Sequence, residues 1–396
     1  MRSGVEFRRV LGAFAGNNVG ILIIALTGCS NSVTGPHTDA ALSSPHAPSA
    51  SIHGIPAFGQ VNLVSDMVSI AATRVDAKLL NPWGIAIVPN GPIWLSANHS
   101  GVSVIYDQNG DSLRSPVSIP TTGKTSGGAP TGVVFNTTRG FMIPGSDKVS
   151  RFIFAGEDGV ISAWSSGDTA VVVADHSASG AVYKGLALAR DRSAHFLYAT
   201  DFKGAKVDVF DEHFQDVTTK PFTDPGIPAG FAPFNIQNID GNLYVTYAKQ
   251  KGPDNMDDEA GPGNGYVDVY RPNGSLIRRF ASQGTLNSPW GLAEVPGHGP
   301  RRLGDEILVG DFGDGRINLF DEHGRFRGQL SDSTGTPITI PGLWGLAFNT
   351  GDADRDDEAR PRGHEHHGEN SSRLFFTAGP GDEADGIFGY LQVARK

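Results

Sequence analysis

The chain repeats one short apolar motif six times, and this repeat limits its possible folds more than any other feature. The copies occupy residues 81–87, 129–135, 182–188, 232–238, 288–294 and 342–348. Their central residues lie 48 to 56 positions apart and are Gly84, Gly132, Gly185, Asn235, Gly291 and Gly345. A period of this length with no helical pattern inside it predicts the blades of a β-propeller. The predicted blades therefore begin near residues 81, 129, 182, 232, 288 and 342.

Two further strand patterns follow each copy in the same order. In the third repeat, residues 196–200 are largely apolar, and residues 205–210 alternate between apolar Val207 and Val209 and polar Asp208. Such alternation predicts a strand that buries one face. In four repeats a weaker segment precedes the next copy, at residues 115–119, 170–173, 276–281 and 326–330. Each blade is therefore predicted to have four strands.

The sixth repeat provides only three strand patterns, the last of them at residues 385–392. Residues 60–66, ahead of the first repeat, resemble the fourth strand of the fifth repeat at residues 328–332. We predict that residues 60–66 complete blade six and close the ring, because an incomplete blade would leave a bare sheet edge. The predicted fold is an all-β, six-bladed β-propeller that forms one monomeric ring over residues 60–392, followed by a short tail at residues 393–396.

The N-terminal residues predict export. Three arginines precede an apolar run at residues 20–26, which is too short for a permanent membrane span and indicates a signal segment. The run leads through small residues to Cys29, the only cysteine of the chain, as in the lipobox of a bacterial lipoprotein. We expect residues 1–29 to be a lipoprotein signal peptide with the lipid on Cys29, and the alternative is an ordinary signal peptide. Ser30 favours transfer to the outer membrane, facing the periplasm or the cell surface.

Composition predicts a tether between the anchor and the ring, and net charge argues against one class of partner. Residues 30–59 are rich in Ser, Pro, His and Ala and show no period, so they are predicted to form a flexible tether. The net charge of −10 argues against nucleic acid as a partner. The expected contacts are the membrane, through the lipid on Cys29, and an envelope protein or a small ligand.

Parts of the chain resemble known propeller families. The third repeat, in which Asp201 follows the second strand pattern, is similar to the NHL type of repeat. Over residues 60–392 the chain resembles an uncharacterised family of secreted bacterial propeller proteins. The resemblance rests on residues 79–84, 155–159, 181–185, 232–237, 244–250, 310–315 and 376–380. It implies the fold and export but no activity. Some members carry PEP-CTERM sorting tails, in place of which we expect Cys29 to anchor this chain.

Propeller geometry places two sets of residues around one mouth of the central channel. The innermost strands begin at that face, and the loops between second and third strands return to it. The expected mouth residues are Trp83, Lys184, Trp290, Trp344, Glu157, Asp158, Asp201, Lys249 and Asp311. Aromatic and charged groups of this kind suit a small polar ligand or the face of a sugar. The alternative is structural, with indoles packed between blades and aspartates capping loop amides.

Two acidic groups suggest calcium as a possible cofactor. The first would combine Glu157, Asp201, Asn235 and Asp311 at the channel. The second is an acidic loop between the second and third strands of blade four, and it carries Asp254, Asp257, Asp258 and Glu259. Its spacing is not that of an EF-hand, and the alternative is a solvated loop. A histidine-rich insertion at residues 351–370 is predicted to be a surface loop on the opposite face.

The sequence leaves two classes of function open. It contains no nucleophile elbow, phosphate-binding loop or zinc-protease motif, so whether the chain is an enzyme stays undecided. The first class is a lipid-anchored module at the cell envelope that binds a ligand or protein or assists assembly. The second is a calcium-dependent hydrolase, lactonase or lyase, which would need several oxygen ligands about 2.5 Å from one point. We favour the binding module because it requires fewer converging groups.

Overall fold

The computed structural model describes residues 54–297, 304–349 and 373–394. The chain divides into two units, residues 1–51 and 52–396, and the described residues belong to the second. The predicted signal peptide, Cys29, most of the tether and the histidine-rich insertion at residues 351–370 lie outside the described residues. No helix in the described ranges is long and apolar enough to cross a membrane.

Strands make up nearly all of the regular secondary structure of the described residues. The N-terminal strands are β1 (Phe58–Ser65) and β2 (Arg74–Val75). Blade one contains β3 (Pro82–Ile87), β4 (Ile93–Ala97), β5 (Val102–Tyr106) and β6 (Val117–Ser118), and a hairpin of β7 (Pro120–Thr121) and β8 (Lys124–Gly127) follows. Blade two contains β9 (Pro130–Phe135), β10 (Phe152–Gly156), β11 (Val160–Trp164) and β12 (Val171–Asp175). A short 3-10 helix, Ser177–Ser179, leads to blade three.

The remaining blades repeat this order. Blade three contains β13 (Tyr183–Asp191), β14 (Ala194–Asp201) and β15 (Lys206–Phe210). Blade four contains β16 (Phe231–Ile239), β17 (Asn242–Lys249), β18 (Gly265–Tyr270) and β19 (Leu276–Ser282). Blade five contains β20 (Pro289–Glu294), β21 (Ile307–Asp311), β22 (Ile317–Phe320) and β23 (Phe326–Gln329). Blade six contains β24 (Leu343–Phe348), β25 (Leu374–Ala378) and β26 (Ile387–Val393).

Every predicted repeat begins the innermost strand of one antiparallel sheet, so the six-bladed β-propeller is confirmed. Blade three is the partial exception, because its sheet has three strands and its fourth position is a bridge between Phe210 and Asp216. The apolar core of the described residues divides into clusters, and six of these lie at the six junctions between neighbouring blades. A blade therefore buries its faces only against its neighbours.

Strand β1 closes the ring as predicted. It pairs antiparallel with β26, from Phe58 opposite Val393 to Ser65 opposite Ile387, and completes blade six. Strand β2 pairs parallel with β1 and adds a fifth strand that was not predicted from the sequence. Side chains of β1 are buried in the clusters on both sides of blade six. Closure therefore joins blade six to both neighbours.

The recurring glycine is required by contact between adjacent innermost strands. At Gly84 a Cβ atom would lie 2.5 Å from the carbonyl oxygen of Thr131 in blade two. At Gly345 a Cβ atom would lie 2.6 Å from the carbonyl oxygen of Trp83 in blade one. Cβ atoms do not approach other atoms closer than 3.0 Å. The motif therefore contains glycine because neighbouring backbones meet around the axis.

Beside this glycine, the backbone hydrogen bond between the first and second strands of the blade is missing. A threonine side chain on the second strand takes its place. Thr377 Oγ1 accepts a hydrogen bond from the backbone N–H of Gly345 at 2.9 Å. The same hydroxyl donates to the carbonyl oxygen of Trp83 in the next blade at 2.5 Å. Thr200 makes the corresponding pair of hydrogen bonds from blade three. These hydroxyls link the innermost strands of successive blades.

Candidate functional site

Aromatic side chains fill the ring axis. The rings of Trp83 and Trp344 stack with centroids 3.5 Å apart, and Trp290 packs edge-on against both. Phe312 covers Trp344 with a centroid distance of 4.0 Å. The three tryptophans are 1–4% exposed. The predicted aromatic residues thus meet at the axis, but they cover one another and form a plug instead of an open floor for a sugar.

Lys184 lies over this plug at the mouth. The second residue of β13, it is 2% exposed, and its Nζ atom lies 5.0 Å from the ring centroid of Trp83. Nζ is 2.5 Å from Glu157 Oε1 and 3.4 Å from Asp257 Oδ1. Burial disfavours the charged ammonium, but the nearby carboxylates outweigh burial and raise the pKa of Lys184. Lys184 is therefore a buried cation and not a neutral amine nucleophile.

Glu157 connects this lysine to blade one. It follows β10, and its Oε2 atom accepts a hydrogen bond of 2.8 Å from Asn98 Nδ2. Burial would raise the pKa of Glu157, but Lys184 and the amide of Asn98 outweigh it, so this pKa is lowered. The side chains Asn98, Glu157, Lys184 and Asp257 come from blades one, two, three and four in turn. One hydrogen-bonded chain therefore spans much of the mouth.

A second polar group at the mouth centres on Asn81, which was not among the predicted mouth residues. Its Nδ2 atom donates to Glu383 Oε2 at 2.6 Å and lies 3.4 Å from His99 Nε2. Its Oδ1 atom accepts a hydrogen bond of 3.0 Å from Trp344 Nε1. Asn81 is fully buried with φ of 44°, and Glu383 has φ of 66°. Asparagine tolerates this left-handed backbone conformation better than most residues.

A sequence signal for Asn81 does exist. Asn81 precedes Pro82 at the start of the first copy, and Ser288 precedes a proline at the same position of the fifth copy. Both residues have positive φ and are buried. A polar residue before proline at the start of a repeat is therefore the sequence feature that marks Asn81.

Carboxyl groups outnumber cations at the mouth. Burial raises the pKa of Glu383, and the charge of Glu157 adds to this effect. Burial likewise raises the pKa of Asp258, although the neighbouring hydroxyl of Ser288 and the charge of Lys184 act in the opposite direction. Lys184 is already paired with Glu157 and Asp257. The mouth is thus an acidic surface around one buried cation.

The acidic loop of blade four overhangs this group, between β17 and β18. Asp257 reaches Lys184, and Glu259 pairs with Lys249 at 2.7 Å between Oε1 and Nζ. Asp254 is exposed. The loop therefore contributes Asp257 and Asp258 to the surroundings of Lys184.

The four residues of the channel calcium hypothesis are not brought together. Asp201 Oδ1 accepts the backbone N–H groups of Val182 and Gly204, each at 3.0 Å. Asn235 Nδ2 donates to the carbonyl oxygen of Trp290 at 2.6 Å. Glu157 pairs with Lys184 as described above. Within the described ranges, no group of three or more His, Cys, Asp or Glu residues is arranged to hold a metal ion.

Two other predicted mouth residues also make structural contacts. Asp311, the last residue of β21, is fully buried, and its Oδ2 atom accepts a hydrogen bond of 2.7 Å from Asn318. Asp158 Oδ1 accepts a hydrogen bond of 3.4 Å from the backbone N–H of Val160. Burial raises the pKa of both carboxyl groups, and that of Asp311 lies well above its usual range. A ligand role for either residue stays a prediction.

The substitution Asp311→Asn is expected to stabilise the ring at alkaline pH. Because burial raises the pKa of Asp311, the native state binds a proton that the unfolded chain has released above about pH 4. The contribution of this group to stability therefore falls as pH rises, and asparagine mimics the protonated carboxyl group. Thermal unfolding should show a variant several degrees more stable than the wild type at about pH 8, with a smaller difference near pH 4. A difference independent of pH would contradict this account.

The fold and the mouth define a β-propeller with a closed aromatic axis and an acidic polar mouth. The chain belongs to the family of the uncharacterized proteins L690 and R648 of Acanthamoeba polyphaga mimivirus. It is 32% identical to L690 over 344 residues, which are 84% of this chain and 85% of L690. It is 32% identical to R648 over 343 residues, which are 83% of this chain and 78% of R648. No protein-family model matches the chain.

Solved structures support the fold. A structural genomics protein of unknown function from Bacteroides thetaiotaomicron aligns with a TM-score of 0.51 at 12% identity, covering 85% of this chain and 76% of that protein. This likeness shows the propeller architecture alone. The relation to secreted bacterial propellers stays a prediction.

Proposed function

We propose that this chain is an exported propeller that binds a small polar ligand at its acidic mouth. The main support for this proposal is the layer of buried polar side chains at the mouth. This layer lies above the aromatic plug, which fills the ring axis by itself. The stacked tryptophans fill the axis without these groups, so ring packing does not explain a buried ion pair between Lys184 and Glu157. Buried charges are costly, and clefts that contain them are preferred ligand sites.

The chemistry of the mouth favours a ligand that donates hydrogen bonds. The carboxyl groups of Glu383, Asp257 and Asp258 lie together at the mouth, and the Asp257 side chain is largely exposed to solvent. A carboxylate accepts hydrogen bonds only, so hydroxyl or ammonium groups of a ligand would satisfy it. The indoles are covered, which makes stacking on a sugar face a minor contribution.

Export and anchoring complete the proposal. The predicted lipobox at Cys29 supports a lipid anchor at the outer membrane. In the ring, β1 begins at Phe58 beside Val393 and ends at Ser65 beside Ile387. The β25–β26 loop, which carries Glu383 at the mouth, leads into β26 at Ile387. Strand β1 therefore begins at the face of the ring opposite the mouth.

An enzyme is the second candidate, and one observation favours it. Glu383, with a raised pKa, and His99 both lie beside the amide of Asn81. A carboxyl group and an imidazole in this arrangement suit general acid and base catalysis. Hydrolysis of lactones and esters by the full chain, lost in Glu383→Gln, would favour this candidate over simple binding.

The binding proposal predicts a ligand-dependent thermal shift. A panel of polyols, sugars, amino sugars and small amines should contain a compound that raises the melting temperature of the full chain by several degrees. Glu383→Gln should abolish that shift, because Glu383 faces the mouth. Asp147→Asn is the matched control, since Asp147 is an exposed carboxylate between the first and second strands of blade two, at the opposite face. Equal shifts in both variants would place binding elsewhere.

A further inference from the structure

The surroundings of Lys184 Nζ form an ammonium cage. Oxygen atoms of Glu157 and Asp257 lie 2.5 and 3.4 Å from Nζ. The ring centroids of Trp83 and Phe202 lie 5.0 and 6.0 Å from it. Carboxylates combined with aromatic faces are the groups with which proteins bind ammonium ions. Lys184 is 2% exposed, whereas the side chain of Asp257 is 72% exposed, so the cage borders solvent on the side of Asp257.

The repeat shows that the ring does not require a cation at this position. The residues before the central residue of the motif in the other blades are Trp83, Thr131, Phe234, Trp290 and Trp344. All are uncharged and buried. Lys184 is the only charged member of the set, and its charge is matched by carboxylates from blades two and four. The cage therefore serves to hold the ammonium group of Lys184, because the innermost strands of the other blades pack without a charged residue at this position.

We infer that this cage is a binding site for a primary ammonium group, which the chain fills with its own Lys184. Truncation of Lys184 leaves the carboxylates and the aromatic faces in place, and a free short-chain alkylammonium ion then occupies the vacated volume. This inference goes beyond the proposed function and does not depend on it, because its test uses no ligand of the native mouth.

Chemical rescue of Lys184→Ala tests the inference in the full chain. The variant should melt several degrees below the wild type, because Glu157 loses its partner. Ethylammonium chloride at tens of millimolar should restore most of this loss, since the ion matches the missing end of the side chain. Ethanol at the same concentration, and sodium chloride at the same ionic strength, should restore none of it. The wild type should not respond to ethylammonium.

A matched variant distinguishes the effect of the missing charge from the effect of the empty volume. Lys184→Met fills the cage with a neutral chain of similar length, so ethylammonium should leave its melting temperature unchanged. If Lys184→Ala does not fold alone, refolding with ethylammonium should recover the near-ultraviolet circular dichroism of the native ring. Equal rescue by ethanol, or no rescue by ethylammonium in either assay, would overturn the inference. Rescue by calcium chloride in place of ethylammonium would also overturn it, and would identify a divalent-cation site.

Discussion

Deleting residues 1–66 is expected to abolish cooperative unfolding of the ring. The deletion removes β1, whose side chains Phe58, Leu63 and Val64 are 1–5% exposed. Loss of a large buried apolar side chain costs about 2–5 kcal/mol, so the three together cost on the order of 6–15 kcal/mol. That is comparable to the whole stability of a typical domain, about 5–15 kcal/mol. The deletion also exposes the edge of β26, which favours aggregation.

Differential scanning calorimetry measures this effect, and two control chains isolate the strand. A chain that begins at residue 54 retains β1 and should melt within a few degrees of the full chain. A circularly permuted chain, with residues 54–66 joined after Ala394 by a short turn, should also retain the transition. The turn is feasible because Phe58 lies opposite Val393 in the antiparallel pair. A sharp native transition after simple deletion would contradict closure by β1.

The substitution Gly345→Ala is expected to destabilise the ring by about 3 kcal/mol or more. The new Cβ atom would lie 2.6 Å from the carbonyl oxygen of Trp83 and 2.8 Å from Thr377 Oγ1. Neither group can move freely, because Thr377 hydrogen-bonds both to Gly345 and to Trp83. The innermost strands of blades six and one would therefore separate. Tryptophan fluorescence should change as well, since Trp83 stacks on Trp344.

Gly59→Ala is the matched control for Gly345→Ala. Gly59 also lies in a strand, but a Cβ atom at this position meets no atom within 4 Å. Denaturant unfolding should give Gly59→Ala a stability within about 1 kcal/mol of the wild type. Equal effects of the two substitutions would show that contact between innermost strands does not explain the repeated glycine.

The sequence predicted the blades and the closing strand because both depend on local pattern. Five of the six innermost strands carry the same glycine, and packing around the axis requires that residue in each of the five. Residues 60–66 were assigned to blade six from their resemblance to a fourth strand, and β1 occupies that place from Phe58 to Ser65. The fourth position of blade three is only a bridge, and no pattern had indicated a strand there.

The site could be predicted only in part, because its contacts join residues distant in sequence. Lys184 stood out as a charge in an apolar strand, but its pairing with Glu157 and Asp257 depends on three different blades. The hydrogen bond from Asn81 to Glu383 joins residues at opposite ends of the ring sequence. The tryptophans were expected at the mouth, but the narrow axis set by the glycine contacts makes them stack on one another.

The most direct test of ligand binding at the mouth is titration calorimetry with the best compound from the thermal panel. The full chain, Asp258→Asn, Glu383→Gln and the opposite-face control Asp147→Asn should be compared under identical conditions. We expect saturable binding by the wild type and by Asp147→Asn, and affinity reduced at least about tenfold in Asp258→Asn, whose carboxylate contributes to the negative charge around Lys184. Unchanged affinity in Asp258→Asn and in Glu383→Gln would show that the mouth is not the binding site.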